Sequence, residues 1–331
     1  MIPRLPARTV SLRRTIRTFG HVSRTPLVLS PQEVNNLHHS KAPVAFLDAT
    51  WFMPNSTRSA REEFLVKRIP GAQFLDLDTV ASPHELGLKH MMPSNEVFAK
   101  ACEELGVSPT SHVVLYDSHG VFSSPRALFM FRSFGHGKSS IMNGGLPRWA
   151  DEGLPIDTEA PIQVKAVQYP APTSTPRKHI RSYEDMVANS TFNPTSNANV
   201  ELVLDARSRG RYLGTDPEPR PGLSSGHIPN SLSLPFNLFL QKNVSKEGIE
   251  FTTVLPPAEI RQVIEDVIGS DQVEDILSGQ RSVVTSCGSG MTAGVLWLGL
   301  QLIGAKNVAL YDESWTGYAM RSTSPIVKKA A

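Results

Sequence analysis

Val44-Ala45-Phe46-Leu47-Asp48-Ala49 is a short apolar run closed by an aspartate, and Leu202-Val203-Leu204-Asp205-Ala206 repeats it in the second half of the chain. Outward from this pair the two halves stay in step. Arg68-Ile69-Pro70-Gly71-Ala72 is matched by His227-Ile228-Pro229-Asn230-Ser231, and Val113-Val114-Leu115-Tyr116-Asp117 by Val283-Val284-Thr285-Ser286-Cys287. Met142-Asn143-Gly144-Gly145 then answers to Leu310-Tyr311-Asp312-Glu313, each followed by a tryptophan, Trp149 or Trp315. Similarity in this fixed order marks a duplicated unit.

Between the short apolar strands lie amphipathic helices. Asn95–Leu105 carries Val97, Phe98, Ala101 and Leu105 on one stripe, with Glu96, Lys100 and Glu103 off it. Apolar strands alternating with helices read as a largely parallel sheet covered on both faces. The expected fold is therefore α/β, with two tandem domains, each a mainly parallel sheet flanked by helices. A chain of 331 residues is long for a single core and agrees with that division. Residues 153–178 hold five prolines, including Pro170, Pro172 and Pro176, and read as an extended linker. The expected boundaries are 25–152 for the first domain, 153–178 for the linker and 179–331 for the second domain.

A net charge of +2 gives no reason to expect a nucleic-acid partner, and 40% hydrophobic residues is ordinary for a globular protein. Two cysteines, Cys102 and Cys287, build neither a disulfide framework nor a zinc site and suit a reducing compartment. The longest apolar run, Val295–Ile303, is broken by Gly299 and Gln301 and fits a buried helix, not a membrane span. Arg4, Arg8, Arg13, Arg14, Arg17 and Arg24 precede the first acidic residue, Glu33. Val10, Leu12, Ile16 and Phe19 can line one helical face there. A basic, hydroxylated, acid-free start has the pattern of a mitochondrial presequence over residues 1–24; the plain alternative is a disordered basic tail. A matrix location is expected, with a cytosolic pool left open.

The strand ending at Ser286 runs into Cys287-Gly288-Ser289-Gly290-Met291-Thr292-Ala293 and then an apolar helix. Gly288 and Gly290 let the backbone curl with its amides inward, and the helix adds the positive end of its dipole. A cysteine in such a cradle is inclined to the thiolate, and the same cradle can hold a persulfide anion. The bland alternative is a buried cysteine beside a glycine-rich turn. A phosphatase of the Cys-x5-Arg type is excluded, because Ala293 stands where its phosphate-clamping arginine would be needed.

This loop resembles the active-site loop of the 3-mercaptopyruvate sulfurtransferases, within the rhodanese superfamily. The resemblance extends over nearly all the chain after residue 24. It includes Asp48-Ala49-Thr50-Trp51, Ile69-Pro70-Gly71-Ala72, Phe131-Arg132-Ser133-Phe134-Gly135-His136 and Tyr311-Asp312-Glu313-Ser314-Trp315. It implies that Cys287 carries sulfane sulfur and that no cofactor is required. It implies Arg211 and Arg220 as substrate-binding residues, with Gly288, Gly290, Met291 and Thr292 lining the substrate side. It further implies a Ser289–His90–Asp78 arrangement that moves a proton between the domains. Lys89 before the histidine and Met291 in place of the usual valine depart from the family pattern. Arg207 and Arg209 read as surface charges or structural ion pairs.

Members that look like thiosulfate rhodaneses carry basic residues after the cysteine, whereas this chain has Gly288 and Ser289. A mercaptopyruvate preference is expected, by a ping-pong route through a Cys287 persulfide. The expected acceptor is thioredoxin, a small thiol or cyanide, and the expected state is monomeric. A thiosulfate-preferring rhodanese and a sulfur relay protein serving tRNA thiolation are the rival readings. The first half has Asp117 at the cysteine position and cannot form a persulfide there. Cys102, near an apolar stripe, is expected to be a packing residue.

Overall fold

A computed structural model describes residues 25–173, 176–194, 196–197 and 199–329. The expected presequence, residues 1–24, lies outside the described residues. In the first half, β1 (Val28–Leu29), β2 (Val44–Asp48), β3 (Gln73–Phe74), β4 (His112–Tyr116) and β5 (Ser139–Met142) form one sheet. Its order is β1-β5-β4-β2-β3, and every pairing is parallel. The second half has β6 (Ile180–Arg181), β7 (Leu202–Asp205), β8 (Leu232–Ser233), β9 (Leu240–Val244), β10 (Glu250–Val254), β11 (Val283–Ser286) and β12 (Val308–Tyr311). Here β6-β12-β11-β7-β8 repeats the first order, again parallel, while β9 and β10 form a separate antiparallel hairpin.

The central strands are largely apolar because helices cover both of their faces. Val113, Val114 and Leu115 of β4 and Val283 and Val284 of β11 are fully buried. Register makes the duplication literal: Asp48 pairs with Tyr116, and Asp205 pairs with Ser286. The next residues, Asp117 and Cys287, therefore occupy equivalent places at the C-terminal edge of their sheets.

Helix Ala293–Leu302 is buried along nearly its whole length and packs on helix Ser124–Ser133 of the first domain. A Cβ on Gly294 would stand 2.8 Å from the Arg126 backbone nitrogen, so only glycine permits this approach. Phe129 and Trp297 meet edge to face across the junction at 5.3 Å. The hairpin adds a second junction. Thr252 N–H donates to the His119 carbonyl, Val121 N–H to Thr252 Oγ1, and Val254 N–H to Asn143 Oδ1.

Helix Asn95–Glu104 buries Phe98, Ala99, Ala101 and Cys102, whereas Val97 is 36% exposed. The apolar stripe is thus rotated from the expected one, and Val97 faces solvent on the side of Glu96 and Lys100. Residues 155–173 run without helix or strand, tied along the first domain. Tyr169 N–H donates to Glu103 Oε1, the Tyr169 hydroxyl meets His136 Nδ1, and Arg68 pairs with Asp157 at 2.9 Å.

Candidate active site

Cys287 follows β11 directly and is 2% exposed. The loop carbonyls point to the start of helix Ser314–Met320. Trp315 N–H donates to the Cys287 carbonyl, and the Thr316 N–H and hydroxyl donate to the Gly288 carbonyl. With the carbonyls engaged there, the loop turns an amide toward sulfur, and Gly290 N–H donates to Cys287 Sγ at 3.1 Å. Among the described residues that is one amide on the sulfur, fewer than the ring the two glycines suggest. Gly290 sits at φ +84, and a Cβ there would lie 2.8 Å from the Asp312 carbonyl oxygen. Ser314 Oγ accepts from Cys287 N–H at 3.1 Å and stands 4.0 Å from Sγ. Met291 is buried, and Thr292 stands at the N-cap position of helix Ala293–Leu302 without a side-chain capping hydrogen bond.

Gly288 lies beneath two guanidinium groups. A Cβ there would be 3.0 Å from Arg211 Nη2 and 3.7 Å from Arg220 Nη1. Arg211 projects from helix Arg209–Leu213 and binds Glu218 through Nη2 at 2.5 Å and Nε at 3.1 Å. The same carboxylate takes Arg207 Nη1 at 2.7 Å, while Arg207 Nη2 binds Asp205 at 2.6 Å. Arg207 also lies 4.2 Å over the Trp315 ring. Arg207 is thus a buried structural ion pair, and Arg209 is exposed. Arg220 makes no hydrogen bond or ion pair with the described residues. Burial pulls its pKa below the ordinary arginine value, opposed by Cys287 and joined by Arg211.

The first domain supplies the opposite wall. His90 adopts φ +48 and is buried against Trp51, with ring centroids 5.2 Å apart. Its Nδ1 lies 2.8 Å from Asp78 Oδ1, and its Nε2 lies 2.7 Å from the Ser289 carbonyl oxygen. The expected contact with the Ser289 hydroxyl is replaced by one with its backbone. The reason is the trans peptide: aiming Gly290 N–H at sulfur aims the Ser289 carbonyl the other way, at His90. Burial works against the Asp78 charge, but the hydrogen bond and charge of His90, with Trp51 and Lys89, hold the carboxyl below its usual range.

Two residues without an assigned role in the sequence reading complete the junction. Arg126 Nη2 donates to Asp312 Oδ1 at 2.5 Å and to the His90 carbonyl at 2.8 Å. Asp312 Oδ2 accepts from Met92 N–H at 2.7 Å. The segment 90–92 is thereby fixed against residues 312–316, which carry the Cys287 loop.

In the first domain Asp117 fills its own cradle. Its Oδ2 accepts from the amides of Phe122, Ser123 and Ser124 and from the Ser124 hydroxyl. Cys102 is buried and its thiol pKa is pushed up by that burial, as suits a packing residue. Among the described residues no group of three or more His, Cys, Asp or Glu side chains is placed to hold a metal, and no helix is long and apolar enough to cross a membrane.

The rhodanese-like domain family matches residues 30–152 and 192–321. The chain is 37% identical over 289 residues to the 3-mercaptopyruvate sulfurtransferase of Homo sapiens, covering 85% of this chain and 86% of that protein. It is also 37% identical over 275 residues to the thiosulfate sulfurtransferase of Bos taurus, covering 81% and 82%. A solved sulfur transferase subunit of yeast mitochondrial complex I superposes with a TM-score of 0.77 at 31% identity, covering 92% of this chain and 100% of that one. Two matched segments, one repeated sheet order and relatives aligned over most of their length place this chain in the rhodanese-like family, as a tandem two-domain member.

Proposed function

We propose that this protein is a sulfurtransferase that takes sulfane sulfur from 3-mercaptopyruvate onto Cys287, releases pyruvate and passes the sulfur to a thiol or to cyanide. The observation that carries this reading is the pair Arg211 and Arg220, converging over a residue without a side chain beside the sulfur. A donor bearing a carboxylate and a ketone meets two guanidinium groups there. Gly288 and Ser289 add no further charge.

Cys287 thiolate attacks the substrate sulfur, forming the S–S bond as the C–S bond breaks. The bonding pair goes to carbon, giving the pyruvate enolate. The proton of the substrate thiol ends on that carbon, and the persulfide anion remains on Cys287. In this reading the Ser289 hydroxyl moves this proton, while His90, held by Asp78 and meeting the Ser289 carbonyl, positions the loop that carries that hydroxyl. Gly290 N–H donates to the sulfur and stabilises the anion, while the Ser314 hydroxyl, 4.0 Å from it, donates to the Tyr311 carbonyl. An acceptor thiolate then removes the outer sulfur.

In the same reading, residues 25–152 and 179–331 are the two domains, joined by 153–178. Residues 1–24 direct the chain to the mitochondrial matrix, and the protein acts as a monomer on a small donor, with thioredoxin or a small thiol as acceptor. Intact mass spectrometry after 3-mercaptopyruvate without acceptor is expected to find one added sulfur, absent in Cys287→Ser. Active enzyme that never carries that sulfur ends the reading. Equal identity to a thiosulfate sulfurtransferase favours a second reading, selected if kcat/KM on thiosulfate exceeds that on 3-mercaptopyruvate.

A further inference from the structure

A cavity of about 450 Å³ opens at the C-terminal edge of the first sheet, the place where parallel α/β sheets receive ligands. It does not include Cys287. Buried polar residues Asp48, at the end of β2, Thr50 and Ser245 line it, together with the buried Ser118 hydroxyl, just past β4, which has no hydrogen-bond partner. Phe64, Leu146 and Ala150 supply apolar walls, and Ile249 of the β9–β10 turn closes one side.

The repeat shows what this cavity lacks. In the second domain Asp205 is neutralised by Arg207 two residues later. In the first domain the equivalent of Arg207 is Thr50, so the equivalent carboxylate, Asp48, has hydroxyl and amide donors but no cation. Asp117 lies close enough to add a like charge. The cavity's basic residues, Arg58, Lys67 and Lys246, are exposed, and Arg58 is already held by Glu63 at 2.6 Å. Glu62, Asp151 and Glu247 stand with them, so carboxylates outnumber cations around the opening.

We propose that this cavity is a second ligand site, taking a small organic cation whose ammonium or amidinium head occupies the place of the missing arginine beside Asp48 and Ser118. The carbon body of the ligand lies against Phe64 and Leu146. The site is separate from the Cys287 chemistry and does not depend on it. Its electrostatics agree: burial pushes the Asp48 carboxyl up to about 7, against the Thr50 and Tyr116 hydrogen bonds and with Asp117 adding to the rise. A bound cation reverses that balance, so uptake near neutral pH releases a proton.

The test uses the full chain and benzylamine, which is cationic at neutral pH, with benzyl alcohol and benzoate as shape-matched controls. Calorimetry in two buffers of different ionisation enthalpy is expected to give saturable benzylamine binding with proton release. Benzoate should not bind. Asp48→Asn should weaken benzylamine at least about tenfold, and Ala150→Trp, which fills the opening and leaves Asp48 intact, should do the same. Circular dichroism verifies that each variant folds, and Ala150→Trp decides if Asp48→Asn does not. The proposal is overturned if benzylamine shows no saturation below about 10 mM, if benzoate binds as well, or if both folded variants bind it like the wild type.

Discussion

Gly288 lies under two guanidinium groups that the proposed reading assigns to the sulfur donor, and the two arginines are not equivalent. Arg211 is pinned by Glu218, whose carboxylate also holds Arg207. Arg220 has no hydrogen-bond or ion-pair partner among the described residues, so its donors are available to a ligand. Loss of a charge-assisted hydrogen bond is worth about 1.5–3 kcal/mol, so Arg220→Ala is expected to raise KM for 3-mercaptopyruvate by roughly 10- to 100-fold, with a smaller effect on kcat. Gly288→Arg puts a side chain where Arg211 Nη2 already stands, 3.0 Å away. It should lower kcat/KM on 3-mercaptopyruvate and raise the ratio in favour of thiosulfate, read from steady-state kinetics on both donors. Unchanged 3-mercaptopyruvate kinetics in Arg220→Ala would remove the basis for the donor preference. The glycine-rich loop after a strand drew attention to Cys287 and Gly288, whereas Arg211 and Arg220 were singled out only by the resemblance to the family's substrate region, since an isolated arginine reads as a surface charge. Glu218 was not visible, since a carboxylate two residues before Arg220 means nothing until Arg207 and Arg211 are seen on one side of it.

At the scale of elements, the alternation of strands and helices could be read from apolar runs, whereas the register of β2 with β4 and of β7 with β11 came from the structure. Side-chain placement at helix margins could not. Val97 has an apolar side chain and a helical spacing, yet tertiary packing turned it outward. Arg126 is the reverse case: a charged residue in an apolar stretch that is buried and bridges two domains. Helix Ser124–Ser133 delivers it to Asp312 and the His90 carbonyl, and removing one member of such a pair leaves a charge buried alone. Arg126→Ala should therefore cost about 3–5 kcal/mol in denaturant unfolding, and Arg126→Ala with Asp312→Ala should cost less than the sum of the two. Because His90 loses its backbone anchor, kcat should fall more than KM rises. Strict additivity of the two substitutions would show that the contact is not energetically coupled.

In the proposed reading, the chemistry is divided between the two halves of the molecule. Cys287, Arg211 and Arg220 belong to the second domain, His90 and Asp78 to the first, and they meet only because the domains are held together. Duplication was legible, but the β9–β10 hairpin was not, because Leu240–Val254 has no counterpart in the first half against which to read it. The hairpin lies across the first domain's Asp117–Ser124 loop, and Gly120 is where it presses closest. Gly120 sits at φ +103, and a Cβ there would lie 2.2 Å from the Thr252 carbonyl oxygen. A side chain is thus refused both by the backbone conformation and by the partner strand. Gly120→Val should push the hairpin away without touching Cys287 or either arginine. Cys287 should still accept sulfur in an intact-mass assay, while kcat/KM falls about tenfold or more, a loss near 1.4 kcal/mol, because His90 no longer reaches the Ser289 carbonyl. Small-angle scattering should register a larger radius of gyration. A Gly120→Val protein that keeps both its compact shape and its turnover would mean that the helix contact between Phe129 and Trp297 holds the halves in register without the hairpin.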